Sequence, residues 1–201
     1  MKIAVFVSGN GTNLQALIDS ISKGNLKARI ALVVSDKEDA FALKRAKNAG
    51  IETFVLNRKK FDSRENFDKE ISSALDKRHI EGIILAGFMR ILSEYFVKKY
   101  KNKIINIHPS LLPLFKGTSA IKDAYNAGAK KTGVTVHFVD EKLDNGPIIL
   151  QETVEIGKDD TVETLEEKIH KIEHKLYPKA IQLFVEGKLE IEGNKVKIRE
   201  E

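Results

Sequence analysis

Strand-length apolar runs that alternate with segments of helical period constrain this chain more than any other feature. Lys2 to Val7 reads as a buried strand and Gly9-Asn10-Gly11 as a turn, after which Leu14, Leu17, Ile18 and Ile21 recur at helical spacing. Arg29 to Val34 is a second strand, Ala40 to Ala49 a helix stopped by Gly50, and Glu52 to Leu56 a third strand. Asp62 or Ser63 can cap a longer helix that carries Phe67, Ile71 and Leu75, and Gly82 to Ala86 returns as a fourth strand. Strands this apolar leave no wet face. The pattern therefore predicts an α/β fold whose mainly parallel sheet is covered on both sides, with a Rossmann-like amino-terminal half.

After a fifth strand at Lys103 to Ile107 the rhythm changes, because Thr132 to Val139 and Ile148 to Ile156 are separated by a loop rather than a crossover helix. An antiparallel pair is expected there. Leu165, Ile169, Ile172 and Leu176 mark one face of a helix that Pro178 should kink or interrupt, and Lys188 to Ile198 reads as a hairpin turning at Gly193-Asn194. The expectation is one domain over residues 1–201, built on a twisted sheet of about seven strands with antiparallel strands in its carboxy-terminal half.

Composition narrows the class. A chain of 201 residues with 42% hydrophobic content can bury a full core. The absence of cysteine removes disulfides, thiolate nucleophiles and the common structural zinc sites. The formal charge of +5 comes from lysines scattered among glutamates, so no nucleic-acid partner is expected. Apolar runs such as Ile3 to Val7 and Ile83 to Ala86 are too short to span a membrane, and Met1 leads into the first of them without a secretory leader. A cytoplasmic protein without a membrane partner is the expectation, as a monomer or homodimer.

Chemistry concentrates where strands end. Asn106-Ile107-His108-Pro109-Ser110-Leu111-Leu112-Pro113 releases an amide and an imidazole where two prolines forbid further strand, and Leu143-Asp144-Asn145-Gly146-Pro147 supplies a later carboxylate. Taken singly, His108 can merely bond a neighbouring carbonyl, and Asp144 can merely belong to a turn. If Asp144 reaches His108, it favours an imidazolium able to stabilise an oxyanion, with the Asn106 amide as a second donor. His137 alternates with Val134, Val136 and Phe138, so a polar-face or supporting role is favoured over catalysis. A metal held by His108, His137 and Asp144 lacks any short ligand spacing, and no metal is expected.

Gly9 to Asn13 lies at a strand-to-helix junction suited to an anion, although Thr12 or Asn13 serving only as a helix cap explains the same residues. It is neither a Walker loop nor GxGxxG. Gly87-Phe88-Met89-Arg90-Ile91-Leu92 follows the fourth strand and exposes apolar residues, either against a planar ligand or under a neighbouring loop. His170, Glu173 and His174 on the late helix could be a solvated stripe.

Together SGNGTNLQALI, LAGFMRILS, NIHPSLLP, GVTVHFVDEKLDNGPIILQ and EHKLYP, spread over nearly the whole chain, resemble the folate-dependent phosphoribosylglycinamide formyltransferases of purine synthesis. The resemblance implies transfer of the formyl group of 10-formyltetrahydrofolate, a cosubstrate, to the amine of glycinamide ribonucleotide. It implies that Asn106, His108 and Asp144 are catalytic and that Gly11, Thr12, Asn13, His170 and Glu173 hold the ribonucleotide. His170 stands where members often carry Gln or Lys. Arg64, Met89, Arg90, Ile91, Leu92, Asp140, Glu141, Lys142 and Leu143 match the folate side. Residues 1–100 would then form the phosphoribosyl-binding half and 101–201 the catalytic and folate-binding half.

The residue chemistry is compatible on its own terms. A neutral amine is already a nucleophile, so attack on a formyl carbon needs positioning, an oxyanion stabiliser and a proton route rather than a covalent intermediate. A methionyl-tRNA formyltransferase or a formyltetrahydrofolate deformylase would share the His and Asp core, and each would be expected to carry a further domain. A non-catalytic phosphate-binding module would explain the glycine loop but not the Asn106, His108 and Asp144 set.

Overall fold

The first strand, β1 (Lys2–Val7), is buried at every position after Lys2, as a strand covered on both faces must be. It pairs in parallel with β2 (Arg29–Ser35) on one side and with β4 (Gly82–Leu85) on the other, and β2 pairs in parallel with β3 (Thr53–Val55). The structure, a computed structural model, describes residues 1–199 and divides into two compact units, Met1–Ile105 and the described residues from Asn106 onward.

In the first unit the strand order β3-β2-β1-β4 puts a topological switch between β1 and β4. Loops that leave the carboxyl ends of strands on either side of such a switch open a crevice, the usual ligand position in parallel sheets. The two loops are tied there, because Ser8 N–H donates to the Gly87 carbonyl at 3.1 Å. The helices between these strands are α1 (Thr12–Ser22), α2 (Phe41–Asn48) and α3 (Arg64–Asp76), followed by α4 (Glu94–Lys99). Helix α3 is capped by Ser63, whose hydroxyl accepts from Asn66 N–H at 3.0 Å. Helix α1 starts at Gly11, which has φ 75° and makes no side-chain cap. Thr12 and Asn13 lie inside the helix, so the reading of either as its cap is corrected.

Strand β5 (Ile104–His108) begins in the first unit and ends in the second. There α5 (Ala120–Asn126) leads to β6 (Lys131–Phe138), which pairs antiparallel with β7 (Ile148–Glu155). The terminal hairpin of β8 (Leu189–Glu192) and β9 (Lys195–Ile198) does not stand apart, since β9 pairs in parallel with β7 at Ile148 and Lys195. Those two strands raise the count from about seven to nine among the described residues. Helix α6 (Val162–Val185) opens with a reciprocal Thr161 and Thr164 capping box and runs through Pro178 without interruption. An internal proline costs about 3 kcal/mol. Here Leu165, Ile169, Leu176, Tyr177 and Ile181 are buried along the same helix, and burial at roughly 1.5–3 kcal/mol each outweighs that cost. No described helix is long and apolar enough to cross a membrane.

Candidate active site

The segment after β5 cannot continue as strand at Pro109, and β6 fixes where it goes. The Thr135 hydroxyl donates to the Ser110 carbonyl at 2.6 Å and accepts from Leu112 N–H at 3.1 Å and from Gln151 Nε2 at 2.8 Å, which uses its one donor and both lone pairs. Gln151 Nε2 also reaches the Leu112 carbonyl at 3.1 Å. Leu111 packs over Gly133 so closely that a Cβ there would lie 2.4 Å from its Cδ2 and 2.2 Å from the Glu152 carbonyl. The strand face that carries Thr135 and His137 is therefore the face that holds this segment.

His108, Asn106 and Asp144 come together around His137. The Asp144 Oδ2 lies 3.6 Å from His108 Nδ1, an ion-pair separation too long for a hydrogen bond, and accepts from Gly117 N–H at 2.8 Å. His108 Nε2 lies 2.8 Å from the Phe115 carbonyl. A carbonyl only accepts, so this nitrogen carries a proton. His137 Nδ1 faces the Phe138 carbonyl at 2.8 Å and is protonated for the same reason. Burial is the largest influence on His137, 2% exposed, and lowers its pKa against the weaker pull of that carbonyl and of Asp144. Neutral His137 therefore has a lone pair on Nε2, which takes a hydrogen bond from Asn106 Nδ2 at 3.2 Å. That acceptor decides which way the amide points, with its NH2 toward His137.

Asp144 itself is placed by the loop between β6 and β7. Its φ of 47° lies in the left-handed region that Asp tolerates better than most residues. Asp140 organises the approach, accepting from Lys142 N–H at 3.0 Å and from Asn145 Nδ2 at 2.9 Å. Gly146 closes it. A Cβ at that position would meet the Phe138 carbonyl oxygen at 2.0 Å, so only glycine lets the chain return to β7 this tightly. Glu141, Lys142 and Leu143 project from this loop and are exposed.

On α6, Glu173 is buried and accepts from His170 Nδ1 at 2.8 Å, which raises the His170 pKa against the opposing effect of burial. Burial at Glu173 excludes a solvated stripe. In the first unit, Gly11 carries both a left-handed φ and a contact that forbids any side chain, since a Cβ would lie 2.5 Å from Ala42 Cβ. Arg45 braces the same turn, with Nε on the Asn10 carbonyl and Nη2 on Asn10 Oδ1, both at 2.9 Å. The loop after β4 exposes Met89 and Ile91 by 59% and 57% while Leu92 is buried, and Arg64 sits exposed at the first turn of α3. Among the described residues no group of three or more His, Asp or Glu side chains is arranged to hold a metal ion.

Residues 1–181 match the formyl transferase family. A phosphoribosylglycinamide formyltransferase from Bacillus subtilis is 45% identical over 181 residues, which cover 90% of this chain and 93% of the relative. The chain belongs to the phosphoribosylglycinamide formyltransferase family. The fold agrees, since the crystal structure of glycinamide ribonucleotide transformylase 1 from Symbiobacterium toebii superposes with a TM-score of 0.97 at 43% identity, covering 100% of this chain and 94% of that one. The trifunctional purine biosynthetic protein adenosine-3 of Gallus gallus is 50% identical over 191 residues, 95% of this chain, and the chain spans only 19% of that protein's length.

In this formyltransferase family member His137 takes the supporting place that its alternation left open beside a merely polar-face role, next to Asn106. The signal for its position was present, because it shares alternation with Thr135 across from the Asn106 to Pro113 segment. What the sequence could not supply was the hydrogen bond to Asn106. Ser8 opens the SGNGTN segment but was given no role of its own, and Asp36, which it bonds, lay in no motif.

Proposed function

We propose that this chain transfers the formyl group of 10-formyltetrahydrofolate to the amine of 5'-phosphoribosylglycinamide, giving phosphoribosyl-N-formylglycinamide and tetrahydrofolate in de novo purine biosynthesis. The observation that carries the proposal is the cluster of Asn106 and Asp144 with the buried His108 and His137 in a chain of this family. The amine attacks the formyl carbon and a tetrahedral oxyanion forms. His108 Nε2–H and the second Asn106 N–H are the donors for it, and an oxyanion, a stronger acceptor than a carbonyl, would displace the Phe115 oxygen from His108.

Asp144 handles the proton. Its Oδ2 is held by Gly117 N–H, while Oδ1 faces the Nε2 lone pair of His137 at 4.0 Å, an approach that gives no hydrogen bond. Oδ1 is thus the oxygen suited to take the ammonium proton and return it to the departing folate nitrogen, directly or through water. No covalent enzyme intermediate is needed, because the nucleophile is the substrate amine.

Gly11, Thr12 and Asn13 would receive the phosphate at the start of α1, where helix N–H groups and dipole favour an anion, and His170 with Glu173 would also contact the ribonucleotide. Met89 to Leu92, Arg64 and Asp140 to Leu143 would line the folate, supported by the exposed apolar side chains of two separate loops. A cytoplasmic location fits the cysteine-free composition. The test is formyl transfer with both substrates, followed by folate absorbance. Turnover that requires the ribonucleotide supports the proposal; formyl release to water alone, or no turnover, rejects it.

A further inference from the structure

Asp36 is one of the most deeply buried carboxylates in the chain, its side chain 2% exposed, and nothing in the proposed reaction uses it. It follows β2, and its two oxygens are spent in opposite directions. Oδ1 accepts from the Ser8 hydroxyl at 2.6 Å, and Oδ2 accepts from Arg90 Nε at 2.7 Å. Ser8 in turn accepts from Met89 N–H at 2.8 Å through the same hydroxyl, while its own N–H donates to Gly87. One carboxylate thus reaches the loop after β4 twice, once through the Arg90 guanidinium and once through Ser8 to the Met89 backbone. The far end of the loop is held independently, where Asp68 Oδ2 accepts from Ser93 N–H at 2.5 Å.

Between these two anchors Met89 and Ile91 project outward. Burying a carboxylate costs several kcal/mol unless its bonds are well made. A residue that does no more than join a solvent-exposed loop to its core gains nothing from a charge, since a neutral acceptor would serve. The charge matters because Arg90, 39% exposed, gives its Nε to Asp36 and lies over the Phe67 ring at 6.0 Å, which holds the guanidinium in a fixed orientation.

We infer that Asp36 is a positioning residue for the folate cosubstrate: through Arg90 and the Ser8 to Met89 link it fixes the loop 87–92 in its binding shape without touching the ligand. The inference rests on the folate role proposed above for this loop. Asp36→Asn separates the two links, because its amide oxygen can still accept from Ser8 while its NH2 confronts Arg90 Nε with a second donor. Asp36→Ala cuts both.

Steady-state constants for both substrates, with Tm, are to be measured for Asp36→Asn, Asp36→Ala and Ile91→Asp. Asp36→Asn should raise the KM for 10-formyltetrahydrofolate about tenfold, the scale of one lost charge-assisted hydrogen bond, while kcat, the ribonucleotide KM and Tm stay close to those of the unaltered protein. Asp36→Ala should raise the folate KM further. A folate KM unmoved in both Asp36 variants while Ile91→Asp raises it would overturn the positioning role and leave the loop's folate role standing. An unmoved folate KM in Ile91→Asp would overturn the folate role and the inference with it. Equal rises in both KM values together with a fall in Tm would make Asp36 a structural residue only.

Discussion

Replacing His137 with Phe keeps ring volume and burial and removes both ring nitrogens. Two groups lose partners, the Phe138 carbonyl at 2.8 Å and the Asn106 amide at 3.2 Å. Orphaning the buried carbonyl costs about 1–3 kcal/mol and the half-buried amide less, so Tm should fall by about 5–10 °C while the fold survives. The effect on turnover has a ceiling set by Asn106. Deleting an oxyanion donor outright costs about 10²–10³ in kcat, and His137 acts only by orienting that donor. The orienting bond is a neutral one worth about 0.5–1.5 kcal/mol net, so His137→Phe should lower kcat by roughly tenfold and by less than Asn106→Ala.

The decisive measurement is the double variant. If His137 works through Asn106, adding His137→Phe to Asn106→Ala should cost almost nothing further in kcat at saturating substrates. Losses that multiply would refute the positioning argument and give His137 a role of its own. Imidazole nitrogen shifts at pH 7 supply a separate check, because burial lowers the His137 pKa and the Phe138 carbonyl selects the Nδ1–H tautomer. A doubly protonated His137 at pH 7 would remove the lone pair on which the Asn106 orientation depends.

Gly146→Ala, two residues after Asp144, should destabilise by about 1–3 kcal/mol and lower kcat, since its Cβ would press on the Phe138 backbone; thermal unfolding and turnover check this. Burial raises the Asp68 pKa against the opposing bonds from Ser93, so the native state disfavours its charge. Asp68→Asn should therefore raise Tm at pH 7, and the gain should vanish as pH falls through the raised native value toward the unfolded one near about 3.9, where the carboxyl is neutral in both states. The Glu173 partner raises the His170 pKa, so its stabilising effect is complete below about 6.5 and is lost as pH rises through the native value. His170→Gln should flatten the Tm profile across that window, and an unchanged profile would show that the pair contributes nothing.

The parallel half of the fold was legible because its strands are apolar on both faces, as in Ile3 to Val7, and its helices keep a clear period. Pro178 misleads in that respect, since a sequence displays the missing N–H but not the buried face that holds α6 together. The hairpin at the carboxy terminus was readable as a hairpin, whereas its parallel pairing with β7 depends on tertiary placement and enlarged the sheet. At the site, Asn106 and His108 stood out because Pro109 ends the strand right after them, and Asp144 because turn residues surround it. His137 was legible as a supporting or polar-face residue but its partner was not, because a buried histidine on a strand looks the same whether its lone pair meets an amide or nothing. Asp36 was invisible for a similar reason: Val-Ser-Asp-Lys at a strand end is ordinary sequence, and its meaning lies in which two loops its oxygens reach.

His108 and His137 show how one residue type is set to two tasks by its acceptors. Each donates from one ring nitrogen to a backbone carbonyl, and the choice of nitrogen determines what the other one faces. Nε2 of His108 meets Phe115, which turns Nδ1 to the carboxylate of Asp144. Nδ1 of His137 meets Phe138, which turns Nε2 to an amide that can only donate there. A carboxylate beside a ring nitrogen supports a donor of protons; an amide donor beside a ring nitrogen requires a lone pair. Exchanging the carbonyls would exchange the roles. The chemistry therefore depends on the backbone between β5 and α5 as much as on the side chains, and Thr135, with its three hydrogen bonds to that segment and to Gln151, secures it.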